Sequence, residues 1–343
     1  MENRSLISVI MPTLNSDKTI RMALESIRKQ DFDQNLIEIL VVDGGSSDNT
    51  LDIAREFNCR IISNPEVQPE FAKYHGILDA SGKYAVFLDS DEVLDNKYAM
   101  QNRVNIFEKE NIKLIFTGGY IKPKNSNYIN DYINNFSDPF SFFMYGTSSD
   151  YRYYFKTMTR KYNHILRNKY AIIGFGDNDI IPLSDLCAGN SIDLEYFRNS
   201  IYKEDCGANI IIELISLIIK KEKNFVILKD DFIVHYSSDS FKKYLKKIKW
   251  RIINNIFYKK DAAGFTNKEG FNSDWFKIKK YLFVPYALTL FLPLLLSIYF
   301  SIIRRNSVLL LHVFLTFYTG ILICYYYILK ILNINPKLKV YGK

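Results

Sequence analysis

A length of 343 residues allows one large domain or two ordinary ones, and 48% apolar with 15% aromatic content excludes a disordered or collagen-like chain. The formal net charge of +8 is unevenly laid: residues 1–100 carry 10 Lys/Arg against 17 Asp/Glu, residues 101–241 carry 17 of each, and residues 242–343 carry 18 against 3. An acidic first third excludes a uniformly basic nucleic-acid binder and predicts a soluble front end with a back end facing an anionic surface.

The first hundred residues alternate strand and helix signals. Ile7–Met11 is a short apolar run ended by Pro12, and Ile20, Ala23, Leu24 and Ile27 then recur at helical spacing. Ile37–Val42 predicts a second buried strand, closed by Asp43-Gly44-Gly45-Ser46, after which Ser47 or Asp48 can cap a helix running to about residue 57. Cys59–Ile62 predicts a third strand, Ala72–Asp79 a helix stopped at Gly82, and Tyr84–Leu88 a fourth strand. Apolar strands separated by helices of this length mean βαβ units and a mostly parallel sheet covered on both faces. Residues 120–185 are rich in Tyr, Phe and Asn, which suits an acceptor-side or membrane-facing element or an ordinary core.

The back end reads differently. Phe241, Tyr244, Leu245, Ile248, Ile252 and Ile256 lie on one face of a helix over 241–260 that carries eight Lys/Arg and no acid, which predicts an interfacial helix on anionic lipid. Leu282–Ile303 is 22 residues without a charge and Ser307–Leu329 is 23 more, each longer than the roughly 20 needed to cross a bilayer core. Only Arg304-Arg305-Asn306 separates them, so they predict a helical hairpin, either transmembrane or re-entrant, with Pro285 and Pro293 permitting kinks. The four cysteines are widely spaced with no C-x-x-C pair, as reduced thiols would be, and no long apolar run precedes Asn15. The front end is therefore expected on the cytoplasmic side of the cell membrane.

In a parallel sheet the ligand sits beyond the carboxyl ends of the strands. Those ends are polar here: Thr13 and Asn15 after the first strand, Asp43 after the second, and Asp89-Ser90-Asp91 after the fourth. Two carboxylates at i and i+2 make an anionic spot that a cation would neutralise, and oxygen ligands with open positions suit Mg²⁺ or Mn²⁺ carrying a substrate's phosphates.

With these residues in place the chain resembles the family 2 glycosyltransferases of the GT-A fold. The resemblance runs through Ser8-Val9-Ile10-Met11-Pro12-Thr13-Leu14-Asn15, Val41-Val42-Asp43-Gly44-Gly45-Ser46-Ser47-Asp48-Asn49-Thr50, Ala72-Lys73-Tyr74-His75-Gly76-Ile77 and Phe87-Leu88-Asp89-Ser90-Asp91. It implies that Thr13, Asn15, Asp43, Asp48, Lys73, Asp89 and Ser90 bind a nucleotide-sugar donor, with Asp43 accepting from the base and Lys73 holding the diphosphate. It further implies that Asp91, Asp89 and His235 hold the metal, and that Asp205, supported by Glu204, is the general base of an inverting transfer. The Gln-x-x-Arg-Trp motif of processive synthases is missing, and Lys247–Arg251 is a poor substitute, which favours single addition.

The implied organisation is a GT-A catalytic domain over 1–240, a basic amphipathic segment over 241–280, and an apolar hairpin with a basic tail over 281–343. The implied acceptor is lipid-linked, a polyprenyl phosphate or a saccharide on polyprenyl diphosphate. Lipopolysaccharide, diacylglycerol or protein are the alternative acceptors, and a catalytically silent nucleotide-binding membrane protein is the alternative of another class. A nucleotidyltransferase would need a Gly-rich basic loop after the first strand, which Pro12-Thr13-Leu14-Asn15 does not provide.

Overall fold

The structure is a computed structural model that describes residues 6–182, 186–203, 207–237, 240–257 and 272–336, apart from the side chain of residue 212. The chain groups into two compact units. The first comprises Met1–Pro123, Tyr151–Asp179 and Ser184–Tyr236, and the second Lys124–Asp150, Ile180–Leu183 and Ser237–Lys343.

The first unit holds the strands β1 (Ile7–Thr13), β2 (Ile37–Asp43), β3 (Arg60–Ser63), β4 (Tyr84–Phe87), β5 (Glu92–Leu94), β6 (Leu114–Phe116), β7 (Tyr120–Ile121), β8 (Asn163–Leu166), β9 (Tyr170–Gly174), β10 (Asn190–Asp193), β11 (Asn224–Leu228) and β12 (Ile233–His235). Nine of them form one sheet in the order β3-β2-β1-β4-β10-β6-β11-β9-β8, and β5-β12-β7 form a small second sheet. The expected parallel sheet is present from β3 to β4. Beyond β4 the sheet becomes mixed, because β10 runs antiparallel to both β4 and β6, and β9 antiparallel to β11 and β8.

The unbroken apolar strands follow from burial on both faces. Ile7, Val9 and Met11 of β1, with Ile39 and Val41 of β2, share a core with Ile20, Ala23, Leu24 and Ile27 of the helix Ile20–Arg28. On the opposite face the helix Pro69–Asp79 lies so close that a Cβ on Gly76 would come within 2.4 Å of Ile10 Cγ2. Registering Thr13 opposite Asp43 brings the ends of β1 and β2 level, and β4 lies on the other side of β1 with Ile10 opposite Phe87. Arg103 is buried with all three guanidinium nitrogens engaged: it pairs with Asp231 at 2.5 and 3.2 Å and donates to Ala99 O, Gly189 O and Ser191 Oγ.

The second unit is helical. Asn127 and Asp138 cap the helices Tyr128–Phe136 and Pro139–Tyr145 through Ile129 N and Ser141 N, with Pro139 in the first turn where its missing N–H costs nothing. The predicted basic helix is found over Phe241–Phe257. Its apolar face, however, is not lipid-facing. Tyr244, Ile248, Ile252 and Ile256 pack on Ile129, Tyr132, Phe136, Leu315 and Tyr326 in one protein core, so Tyr132, Phe136 and Phe142 serve as core. The reason is tertiary: the helix finds apolar partners within the unit and keeps only its lysines in solvent.

The second apolar run is a single element, the helix Leu311–Ile331 entered through a 3₁₀ turn at Ser307–Leu310, and Ser307–Ile331 is long and apolar enough to cross a membrane. The first run is not one helix. It breaks between Phe283–Leu288 and Phe291–Ile303, with a bend of 90° across the break. Pro293 cannot donate to the carbonyl of Thr289 and its ring crowds that carbonyl, so the helix stops and restarts with proline in its first turn. Leu290 takes up the break at φ +55°.

Candidate active site at the sheet edge

Three strand-end loops of the first unit are knitted together by their own side chains. Asp43, at the end of β2, accepts from Gly45 N and Ser46 N at 2.9 Å each, from Ser46 Oγ at 2.5 Å and from Thr13 Oγ1 at 3.3 Å. Four donors fill the acceptor capacity of a carboxylate, so this side chain fixes the shape of the Gly44–Ser46 turn. Gly45 adopts φ +90°, a conformation that favours glycine.

Asn15 sits at φ +51° and is exposed. Its amide donates to Ser46 Oγ at 2.8 Å, and its Oδ1 accepts from Ser47 N at 2.9 Å, which locks the loop after β1 to the loop after β2. Asp48 accepts from Asp17 N at 3.2 Å, Thr50 N at 3.0 Å and the Thr50 hydroxyl. Burial resists the charge on Asp48, but the hydrogen bonds from Thr50 and Asp17 outweigh it and hold the carboxyl below its ordinary pKa. Thr50 Oγ1 accepts from Ser16 N at 2.7 Å, and Ser90 Oγ donates to Ser16 Oγ at 2.8 Å, so the loop after β4 joins the same network.

The acidic turn follows β4. Lys73, buried on the helix Pro69–Asp79, places Nζ 3.4 Å from Asp89 Oδ1. Burial raises the Asp89 carboxyl, Lys73 opposes this and Asp91 reinforces it. Asp91 Oδ2 lies 3.8 Å from His235 Nε2 at the end of β12, and the His235 ring stacks on Tyr120 at 4.3 Å. Asp89, Asp91, Lys73, Ser90 and His235 are thus gathered at one edge, next to Thr13, Asn15, Asp43 and Asp48. Glu204 and Asp205 lie outside the described residues. His75 pairs with Glu66 on the surface and His164 contacts the carbonyl of Tyr162.

Glu92 adjoins the acidic turn and is absent from the residues picked out by sequence. It is 1% exposed, and its two oxygens accept from Asp89 N at 2.9 Å, Ala188 N at 2.7 Å and Tyr120 Oη at 2.7 Å. Burial, followed by the charges of Asp89 and Asp91, pushes its pKa well above the usual range. The local signal was its spacing: three residues on from Asp89, its side chain reaches back to the Asp89 amide while Glu92 N donates to Asp89 O at 3.0 Å. Tyr120, Ser16 and Ser46 carry no comparable local signal, because their partners are brought in by the sheet.

The donor set can be tested for a divalent cation. Ligand atoms of Asp89, Glu92 and Cys187 lie within 4.8 Å of one another. Glu92 is committed to three donors there and a thiol suits soft metals, so that trio does not fit Mg²⁺ or Mn²⁺. Asp91 and His235, a carboxylate on a partly exposed side chain beside an imidazole, with Asp89 adjoining, do fit a hard or borderline cation.

Residues 8–173 match the model of the family described as glycosyl transferase family 2. A dolichyl N-acetyl-α-D-glucosaminyl phosphate 3-β-D-2,3-diacetamido-2,3-dideoxy-β-D-glucuronosyltransferase of Methanococcus voltae is 30% identical over 133 residues, which is 36% of this chain and 41% of the relative. A UDP-Glc:α-D-GlcNAc-diphosphoundecaprenol β-1,3-glucosyltransferase of Escherichia coli is 32% identical over 133 residues, 37% of this chain and 51% of the relative. The chain therefore spans about half or less of the length of these curated relatives. Among solved structures, S. aureus TarS 1–349 aligns over 94% of this chain and 91% of its own with a TM-score of 0.46 and 15% identity. On the match over residues 8–173, the chain carries a glycosyl transferase family 2 domain.

Proposed function

We propose that the chain is an inverting, metal-dependent glycosyltransferase that moves one sugar from a nucleoside-diphosphate sugar to a lipid-linked acceptor, a polyprenyl phosphate or a saccharide on polyprenyl diphosphate, at the cytoplasmic face of the membrane. The observation that carries the reading is the convergence at one sheet edge of a braced polar loop set (Asn15, Asp43, Asp48) with an acidic turn bearing a lysine and an imidazole (Lys73–Asp89 at 3.4 Å, Asp91–His235 at 3.8 Å). The names of the two relatives, one dolichyl-phosphate-linked and one undecaprenyl-diphosphate-linked, support the class of acceptor.

In this reading Thr13, Asn15 and the Gly44–Asp48 turn form a rim for the nucleoside whose shape exists before donor arrives, since Asp43 and Asp48 spend their oxygens on the loops themselves. Lys73 braces the Asp89 carboxylate, and Ser90 ties the acidic turn to the rim. Asp91, Asp89 and His235 hold the cation. When bound, a divalent ion offsets the charge that develops on the departing nucleoside diphosphate. Asp205, supported by Glu204, takes the proton of the acceptor hydroxyl on the face opposite the leaving group.

The test uses full-length chain in detergent with Mg²⁺ or Mn²⁺, radiolabelled UDP- and GDP-sugars, and polyprenyl phosphate or a membrane lipid extract. The expected result is metal-dependent label in the organic phase. Asp91→Asn and Asp205→Asn should each lower turnover by on the order of 10²-fold or more. Label confined to water-soluble product would overturn the lipid acceptor, and wild-type turnover in Asp205→Asn would overturn its role as base. A chain that binds donor with metal yet neither transfers nor hydrolyses it would be the silent binding protein.

A further inference from the structure

We infer that the second unit inserts into a single leaflet of an anionic membrane, with neither apolar run crossing the bilayer. The inference rests on the packing of this unit alone and is independent of the glycosyl-transfer reading.

The first run starts and ends on the same support. Phe143 packs its ring 5.5 Å from Phe283, and its neighbour Phe142 packs 5.5 Å from Phe300. Phe283 and Phe300 are 17 residues apart, which a continuous helix would separate by about 25 Å. Here consecutive residues of one short helix touch both. The polar flanks agree. Lys279 Nζ donates to Met144 O at 2.9 Å, and Arg304 donates to Asn135 Oδ1 at 2.6 Å and Ser148 Oγ at 3.2 Å while its guanidinium lies 4.5 Å over Phe300. The two flanking cations are thus held on the same 135–148 segment, where a spanning hairpin would put them on opposite sides of about 30 Å of hydrocarbon.

The long apolar helix has its own constraint. It runs alongside the basic helix in the same direction: Phe241 meets Phe314 at 6.1 Å, Phe257 meets Tyr326 at 6.4 Å, and Lys330 Nζ donates to Ile256 O at 2.6 Å. Taking Leu311–Ile331 through the bilayer would therefore take Phe241–Phe257 with it. Lys242, Lys243, Lys246 and Lys249 on that helix are exposed, and each would cost roughly 2.5–3.5 kcal/mol at mid-bilayer. An in-plane arrangement removes the conflict. The exposed apolar residues Phe291, Ile298, Ile302, Ile321 and Ile328 enter the acyl region, and the lysines meet the anionic headgroups. This charge complementarity selects lipid over a second copy of the chain as the occupant, since a second copy would bring the same lysines.

The test is sidedness within this unit, on full-length protein in sealed membrane vesicles. Trypsin added from one side should cut wild-type protein both after Arg305, which is exposed, and within the lysines of 242–249, and from the other side should cut neither. Single-cysteine variants Ser307→Cys and Lys246→Cys, in a chain lacking its four native cysteines, should react with a membrane-impermeant maleimide from that same side. Cleavage at Arg305, or labelling of Ser307→Cys, only from the side opposite the lysines would overturn the inference. So would a chain that stays in solution as a stable dimer and does not float with vesicles of phosphatidylglycerol and phosphatidylethanolamine.

Discussion

At the scale of single residues, the polar groups of the first unit are satisfied by one another to a degree that makes their removal costly. Glu92→Ala would leave Asp89 N and Ala188 N without their acceptor and Tyr120 Oη with only the Cys187 thiol at 3.6 Å. A buried group stripped of its partner costs about 1–3 kcal/mol, so a loss of roughly 3 kcal/mol or more is expected in urea titration. Glu92→Gln, which keeps one oxygen, should lose less. Arg103→Ala strands the buried Asp231 carboxylate and is expected to cost about 3–5 kcal/mol, a drop that Asp231→Asn alone should not match. Asp48 supplies a pH dependence. Its folded pKa lies below the unfolded carboxylate value of about 3.9, so the stability it contributes is present above that value and is lost as pH falls through the folded pKa. Acid unfolding of Asp48→Asn, followed by circular dichroism, should accordingly show a shallower fall of stability below about pH 4 than the parent chain.

At the scale of elements, the helix Pro69–Asp79 owes its close seat on β1 to Gly76. A methyl there meets Ile10 Cγ2 at 2.4 Å, so Gly76→Ala should destabilise by about 1–3 kcal/mol despite alanine's better helix propensity. Adding Ile10→Ala should make the pair less destabilised than the sum of the two, a coupling that a double-mutant cycle by chemical denaturation reads directly. The periodicity of these elements was legible from residues alone: strands at Ile7, Ile37 and Tyr84 and the basic helix from Phe241 sit where their patterns put them. The break in the first apolar run was legible only in part: Pro285 and Pro293 permit a kink, but the composition is uniform across Thr289 and does not fix where the hydrogen-bond ladder fails.

At the scale of the whole chain, the uneven charge acquires a spatial meaning inside the second unit. Replacing Lys242, Lys243, Lys246 and Lys249 together by Gln leaves the apolar core contacts of that helix intact, since those belong to Tyr244, Ile248, Ile252 and Ile256. At about 1 kcal/mol per lysine near an anionic surface, binding to phosphatidylglycerol-rich vesicles is expected to weaken by on the order of 10³-fold, while binding to neutral vesicles changes little. Flotation at low and high salt measures both, and raised salt should shrink the difference.

The sequence by itself determined the apolar strands, the polar strand ends and the acidic turn at Asp89-Ser90-Asp91, because each is dictated by spacing along the chain and by the burial of one segment. Tertiary structure decided what those spacings cannot encode. It gave Asp43 four donors from its own loop and neighbour, buried Glu92 beneath Tyr120, and folded residues 124–150 into one unit with the C-terminal helices. It also turned the apolar face of Phe241–Phe257 inward. An amphipathic stripe states that a surface must be covered; whether protein or lipid covers it depends on partners more than fifty residues away, and those contacts exist only once the chain has folded.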